Sequence, residues 1–113
     1  MSNNAAHDRL VRAGKLWLSQ QGCMVADTQA SGLVYSLSGH KMRAGLKGKP
    51  DITATVPPHG RALAAEAKTG AGRLKPAQIA WRDAHVAAGG VYVEFRTLEE
   101  LQAVALPLLQ EAP

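Results

Sequence analysis

Asp51, Glu66 and Lys68 are the residues of this 113-residue chain whose types and spacing could do chemistry. Asp51 closes the segment Gly48-Lys49-Pro50-Asp51, and Glu66-Ala67-Lys68 follows after a hydrophobic, hairpin-like stretch. Carboxylates supply hard oxygen ligands for Mg²⁺ or Mn²⁺, and an ammonium can orient an attacking water and offset charge in a transition state. Two carboxylates and a lysine at strand ends are what hydrolysis of a phosphodiester with a divalent metal requires. Side chains alternate along a strand, so Glu66 and Lys68 share one face.

These residues need elements to bring them together. Ile52-Thr53-Ala54-Thr55-Val56 alternates as a strand, and Pro57, Pro58 and Gly60 turn the chain. Residues 62–67 then read as a second strand, antiparallel to the first because the connection is short, which brings Asp51 and Glu66 toward the same sheet end. Upstream, Leu10, Val11, Ala13, Trp17 and Leu18 follow helical spacing over 5–21, with Gly22 as the stop. Residues 23–37 suggest a short strand pair split at Ser31-Gly32, and the Gly- and Lys-rich stretch 38–49 reads as a loop. Downstream, Lys75-Pro76 opens a helix closed by Gly89-Gly90, and Val91 to Phe95 is a strand. Thr97-Leu98-Glu99-Glu100 is a capping box for a final helix that Pro107 should kink or shorten. The order helix, strands, helix, strand, helix predicts one α/β (α+β) domain over 1–113, a mixed central sheet flanked by helices.

Composition sets bounds on this reading. A length of 113 residues suits one core rather than two, and a hydrophobic content of 46% with only 4% aromatics predicts a core packed by Leu, Val and Ala. No apolar run approaches the roughly 20 residues that span a bilayer, and the N-terminus lacks a signal-peptide pattern, so a soluble, cytoplasmic protein with no membrane partner is expected. The single cysteine, Cys23, excludes an internal disulfide and a cysteine-rich zinc site, and reads as a buried thiol. Twelve of the 13 Lys and Arg lie in residues 1–93 against five of nine acids, a net +7, whereas the tail carries one against four, a net −3. A basic body with an acidic tail favours a polyanionic partner, although a solvated surface has the same composition.

Taken in order, these segments resemble the virus-type replication-repair nuclease domain, VRR-NUC, of the PD-(D/E)xK nuclease superfamily. Gly48-Lys49-Pro50-Asp51-Ile52 resembles the family's Gly-x-Pro-Asp-aliphatic signature, and Glu66-Ala67-Lys68-Thr69 its Glu-x-Lys segment. Gly72-Arg73-Leu74-Lys75-Pro76-Ala77-Gln78 is similar to the segment leading to a characteristic Gln, and Gly89-Gly90-Val91-Tyr92-Val93 to the strand that follows. The resemblance spans nearly the whole chain and implies a restriction-endonuclease-like core.

Each site residue has two readings. Asp51 is a metal ligand or a turn aspartate, and Glu66 is a second ligand or a surface glutamate on an edge strand. The backbone carbonyl of Ala67 is a third metal ligand by resemblance. Lys68 positions or deprotonates the water, or neutralises the phosphate, or simply pairs with Glu66. Gln78 directs an amide at the site or is an exposed helical residue. Family members usually carry an acid, often Glu, on the first helix; here Asp8, beside His7, is the available ligand, and it also suits an N-cap or first-turn role.

Lys41, Arg43, Lys47 and Lys49 crowd the loop before Asp51, and Arg73 and Lys75 follow Lys68, so both loops offer a DNA-binding track. Tyr35, Trp17, Trp81 and Tyr92 are expected mostly in the core, which favours recognition of duplex or branched DNA through its backbone. His7, His40, His59 and His85 show no metal-ligand spacing and read as surface or loop residues. The resemblance implies a Mg²⁺- or Mn²⁺-dependent endonuclease in phage or bacterial replication, repair or recombination, most sharply a homodimer that cuts Holliday junctions. A non-catalytic DNA-binding module on the same fold and a restriction-type or flap nuclease are the alternatives.

Overall fold

A computed structural model describes residues 2–27, 33–35, 41–43 and 48–112. In chain order the elements are α1 (Ser2–Gln20), β1 (Met24–Asp27), β2 (Leu33–Tyr35), β3 (Lys41–Arg43), β4 (Ile52–Val56), β5 (Arg61–Ala67), α2 (Pro76–Ala87), β6 (Val91–Phe95) and α3 (Leu98–Leu109).

Helix α1 buries Val11, Gly14 and Leu18, three positions on one helical face. A Cβ on Gly14 would stand 3.1 Å from both Ile52 Cδ1 and Leu101 Cδ2, so the missing side chain lets α1 close on β4 and α3. The helix ends at Gly22, whose φ of 88° few other residues adopt. There the Cys23 N–H reaches the Leu18 carbonyl and the Gly22 N–H that of Ser19, satisfying two end carbonyls.

Strands β1, β4, β5 and β6 form a four-stranded mixed sheet in the order β1-β4-β5-β6. The β1–β4 and β4–β5 pairs are antiparallel, and β5–β6 is parallel. A parallel pair needs a crossover, which α2 supplies between β5 and β6. Ile52, Ala54 and Val56 of β4 and Leu63, Ala65 and Ala67 of β5 face the main core, joined by Val93 and Phe95 of β6, Val11 and Leu18 of α1, and Leu101, Ala105 and Leu108 of α3. β5 is buried on both faces, with Ala64 and Glu66 turned to the side opposite that core. On this second side α2 packs through Trp81, whose ring centroid lies 6.4 Å from that of Tyr92 in β6. The expected Leu, Val and Ala packing is present, with Phe95 the largest fully buried side chain.

Two local expectations need correction. β1 does not pair with β2: its partner is β4, while β2 pairs antiparallel with β3 in a separate two-stranded sheet. Segment 38–49 is therefore not all loop, since β3 lies within it. Pro107 lies inside α3, which ends two residues later at Leu109. The Thr97 capping box forms as the residues suggest, with the Glu100 N–H donating to Thr97 Oγ1 at 3.3 Å and the Thr97 N–H to Glu100 Oε1 at 3.2 Å. Among the described residues no helix is long and apolar enough to cross a membrane.

Candidate active site

The loop entering Asp51 is shaped by a close approach. Gly48 has a φ of 85°, and a Cβ there would stand 2.2 Å from the Ala77 carbonyl oxygen and 3.0 Å from the Gln78 nitrogen. Only glycine fits, and the loop therefore seats against the first turn of α2. Pro50 is fully buried, and Asp51 is 8% exposed immediately before β4.

From there Asp51 is tied to the far end of β5. The Ala67 N–H donates to Asp51 Oδ2 at 2.9 Å, and the Asp51 N–H donates to Glu66 Oε1 at 3.2 Å. The two buried carboxylates thus share a main-chain frame from two antiparallel strands, and each accepts a hydrogen bond that offsets part of its burial.

Gln78 completes the frame from α2. It is the third residue of that helix, where a glutamine can reach back to the capping residue, and its Oε1 accepts from the Lys75 N–H at 2.8 Å. The same oxygen accepts from Lys68 Nζ at 3.2 Å, while Gln78 Nε2 donates to Glu66 Oε2 at 3.0 Å. Donor and acceptor partners fix which way the amide points. Lys68 Nζ also stands 3.5 Å from Glu66 Oε2, an ion pair with both side chains largely buried.

Burial, reinforced by the Asp51 carboxylate, pushes the Glu66 carboxyl up to about 7, with Lys68 and the Asp51 N–H working in the opposite sense. Burial likewise raises the Tyr92 phenol, and the Glu66 carboxylate adds to that rise. The site concentrates negative charge away from water, which a divalent cation would neutralise. Among the described residues no three His, Cys, Asp or Glu side chains are already gathered as a metal cage. The fit to a cation rests on the two buried carboxylates and the adjoining backbone.

His7 is the residue that sequence reasoning missed. Its Nε2 lies 3.1 Å from Asp51 Oδ2, across 44 positions of chain, and its Nδ1 lies 3.6 Å from Asp8 Oδ1. His7 is thus a site neighbour rather than a surface bystander. Asp8 is 69% exposed and turns to His7 instead of the carboxylate pair. One signal was available: His7 continues the stripe of Val11, Gly14 and Leu18 by one helical turn, so a polar group had to sit against the sheet end. A cleft of about 240 Å³ opens here, lined by His7, Asp8, Val11, Arg12, Lys15 and Asp51.

The other histidines sit elsewhere: His59 Nε2 meets the Ala112 carbonyl, and His85 stacks on Trp81 while its Nε2 meets the Val91 carbonyl. His40 lies outside the described residues. Of the proposed track, Lys49 is half-buried beside Asp51, and Arg73 and Lys75 are exposed in the loop after Lys68. Lys47 and the side chains of Lys41 and Arg43 lie outside the described residues.

A solved structure described as "VRR_NUC domain" is similar in fold to this chain, with a TM-score of 0.61 and 15% sequence identity, covering 95% of this chain and 98% of its own. The chain has the VRR_NUC fold. At 15% identity the likeness is one of fold, and neither a protein-family model nor a curated protein matches the sequence. Within the VRR_NUC fold of this chain, Asp51, Glu66, Lys68 and Gln78 stand at the meeting point of β4, β5 and α2.

Proposed function

We propose that the chain is a divalent-metal-dependent DNA endonuclease. The observation that carries this reading is the convergence of Asp51, Glu66, Lys68 and Gln78, contributed by two strands and a helix, in one hydrogen-bonded cluster. Asp51, Glu66 and the Ala67 main-chain carbonyl would hold Mg²⁺ or Mn²⁺. Such an ion, once bound, would supply a water of lowered pKa and a Lewis acid for a phosphoryl oxygen. Lys68 has three N–H donors, of which Gln78 and Glu66 engage two among the described residues, and the third could hold a water or a phosphate oxygen. Gln78 keeps Lys68 and Glu66 in register with one amide, and so fixes where charge can be stabilised.

Recognition is read through the DNA backbone. Lys49, Arg73 and Lys75 flank the carboxylates, whereas Trp17, Trp81 and Tyr92 are half-buried and offer little open ring for base stacking. Branched DNA is the substrate form we favour, cut by a homodimer, because symmetric nicking of a four-way junction needs two sites related by a twofold axis.

A labelled panel of linear duplex, single strand, flap and four-way junction, incubated with Mg²⁺, Mn²⁺ or EDTA, tests this reading. Metal-dependent cutting that is strongest on the junction, with paired nicks, is the expected result. Equal cutting of every duplex would remove the preference for branches. Salt-sensitive binding with no cutting of any substrate would make the chain a binding module.

A further inference from the structure

The geometry points to His7 as a nitrogen ligand of the metal centre, with Asp8 as its positioning partner, and hence to a site that selects Mn²⁺ over Mg²⁺. This inference rests on the nuclease reading, because it concerns the ion that Asp51 and Glu66 would hold.

His7 Nε2 and Asp51 Oδ2 are 3.1 Å apart. Two ligands at right angles on a six-coordinate ion with bonds of about 2.1 Å stand about 3 Å apart, so the pair already has the spacing of neighbouring ligands. The same oxygen, Asp51 Oδ2, also accepts from the Ala67 N–H of β5. It borders the open cleft with Arg12 and Lys15, the route by which an ion and a phosphate can enter.

Asp8 supplies the second requirement of a ligating histidine. Its Oδ1 lies 3.6 Å from His7 Nδ1, so when an ion takes the place of the Nε2 proton that the contact to Asp51 Oδ2 uses, a proton at Nδ1 faces a carboxylate. Such a carboxylate–histidine pair orients the ring and raises its strength as a donor. The carboxylate of Asp8 is thus placed to act through the imidazole.

One imidazole among oxygen ligands changes ion preference. Mg²⁺ takes hard oxygen donors almost exclusively, whereas the divalent transition ions, of which Mn²⁺ is the weakest binder and the one that also suits carboxylates, accept a nitrogen ligand more readily than Mg²⁺. A glutamate at position 7 would restore an all-oxygen site.

Calorimetric titration of the metal-free full chain with MnCl₂ and with MgCl₂, paired with pulsed electron paramagnetic resonance of the Mn²⁺ complex, tests this. The native chain should bind Mn²⁺ the more tightly and show modulation from a directly bonded ¹⁴N. His7→Ala should lose that modulation and about tenfold or more of the Mn²⁺ affinity, and Asp8→Asn should weaken Mn²⁺ by a similar order while keeping the ¹⁴N signal. His7→Glu should keep binding, lose the signal and shift the Mn²⁺-to-Mg²⁺ affinity ratio toward Mg²⁺. Circular dichroism of each variant separates ligand loss from misfolding. Unchanged Mn²⁺ binding in both His7 variants, with binding abolished in Asp51→Ala, would overturn the inference and leave the nuclease reading standing. A native chain that binds neither ion would overturn both.

Discussion

Burial and the neighbouring Asp51 carboxylate hold the Glu66 carboxyl at about 7, so the folded protein keeps a proton that the unfolded chain releases near 4.5. The native state then binds more protons than the unfolded state between these values, and stability falls as pH rises through that window. In EDTA, thermal melts should show the contribution of Glu66 intact below about pH 4.5 and lost above about 7. Glu66→Gln, which can accept the same Asp51 N–H, should flatten this part of the profile; an unchanged slope between pH 5 and 8 would place the titration elsewhere. Gln78 acts on two neighbours at once, so Gln78→Ala should lower turnover by about 10²-fold through misplacement of Lys68, read in single-turnover kinetics. The approach of Asp51 to Glu66 and Lys68 was legible in the sequence, since strand alternation and a short turn set their directions, whereas the helix start left Gln78 with two readings. His7 was not legible, because its contact to Asp51 spans 44 positions and depends on how α1 crosses the sheet.

At the scale of elements, Gly48 joins the Asp51 loop to α2. Gly48→Ala puts a Cβ into the Ala77 carbonyl at a backbone angle suited to glycine, and should destabilise the fold by about 1–3 kcal/mol, measured by denaturant unfolding. It should also weaken the Gln78 contacts, so its loss of activity should exceed its loss of stability. Thr97→Ala removes the side-chain cap of α3 and should cost about 1 kcal/mol. The capping box, the turn after β4 and the crossover helix were readable because each has a local residue signature. The partners of β1 and β2 were not, since a strand of three or four residues carries alternation without naming its neighbour. β3 was hidden by the Gly- and Lys-rich composition of its surroundings.

At the scale of the whole molecule, the main core lies on one face of the sheet, and Glu66 lies on the other, beneath α2. Charge is partitioned as well, with a net +7 in residues 1–93 and −3 beyond them. DNA affinity should therefore fall steeply with salt, and Arg73→Ala and Lys75→Ala should each lower the slope of log K against log salt by about 0.9 if each neutralises a phosphate of a duplex. The mixed sheet and its helices followed from the order of the elements; the separate β2–β3 sheet did not. The most direct test of the central claim is conversion of supercoiled plasmid to nicked or linear form by the native chain, Asp51→Ala and Lys68→Ala, with and without Mn²⁺. Cutting by the native chain that needs the metal and is lost in both variants, with DNA binding kept, is the result expected of a metal-dependent nuclease. Cutting that survives in Asp51→Ala, or that EDTA leaves untouched, would contradict it.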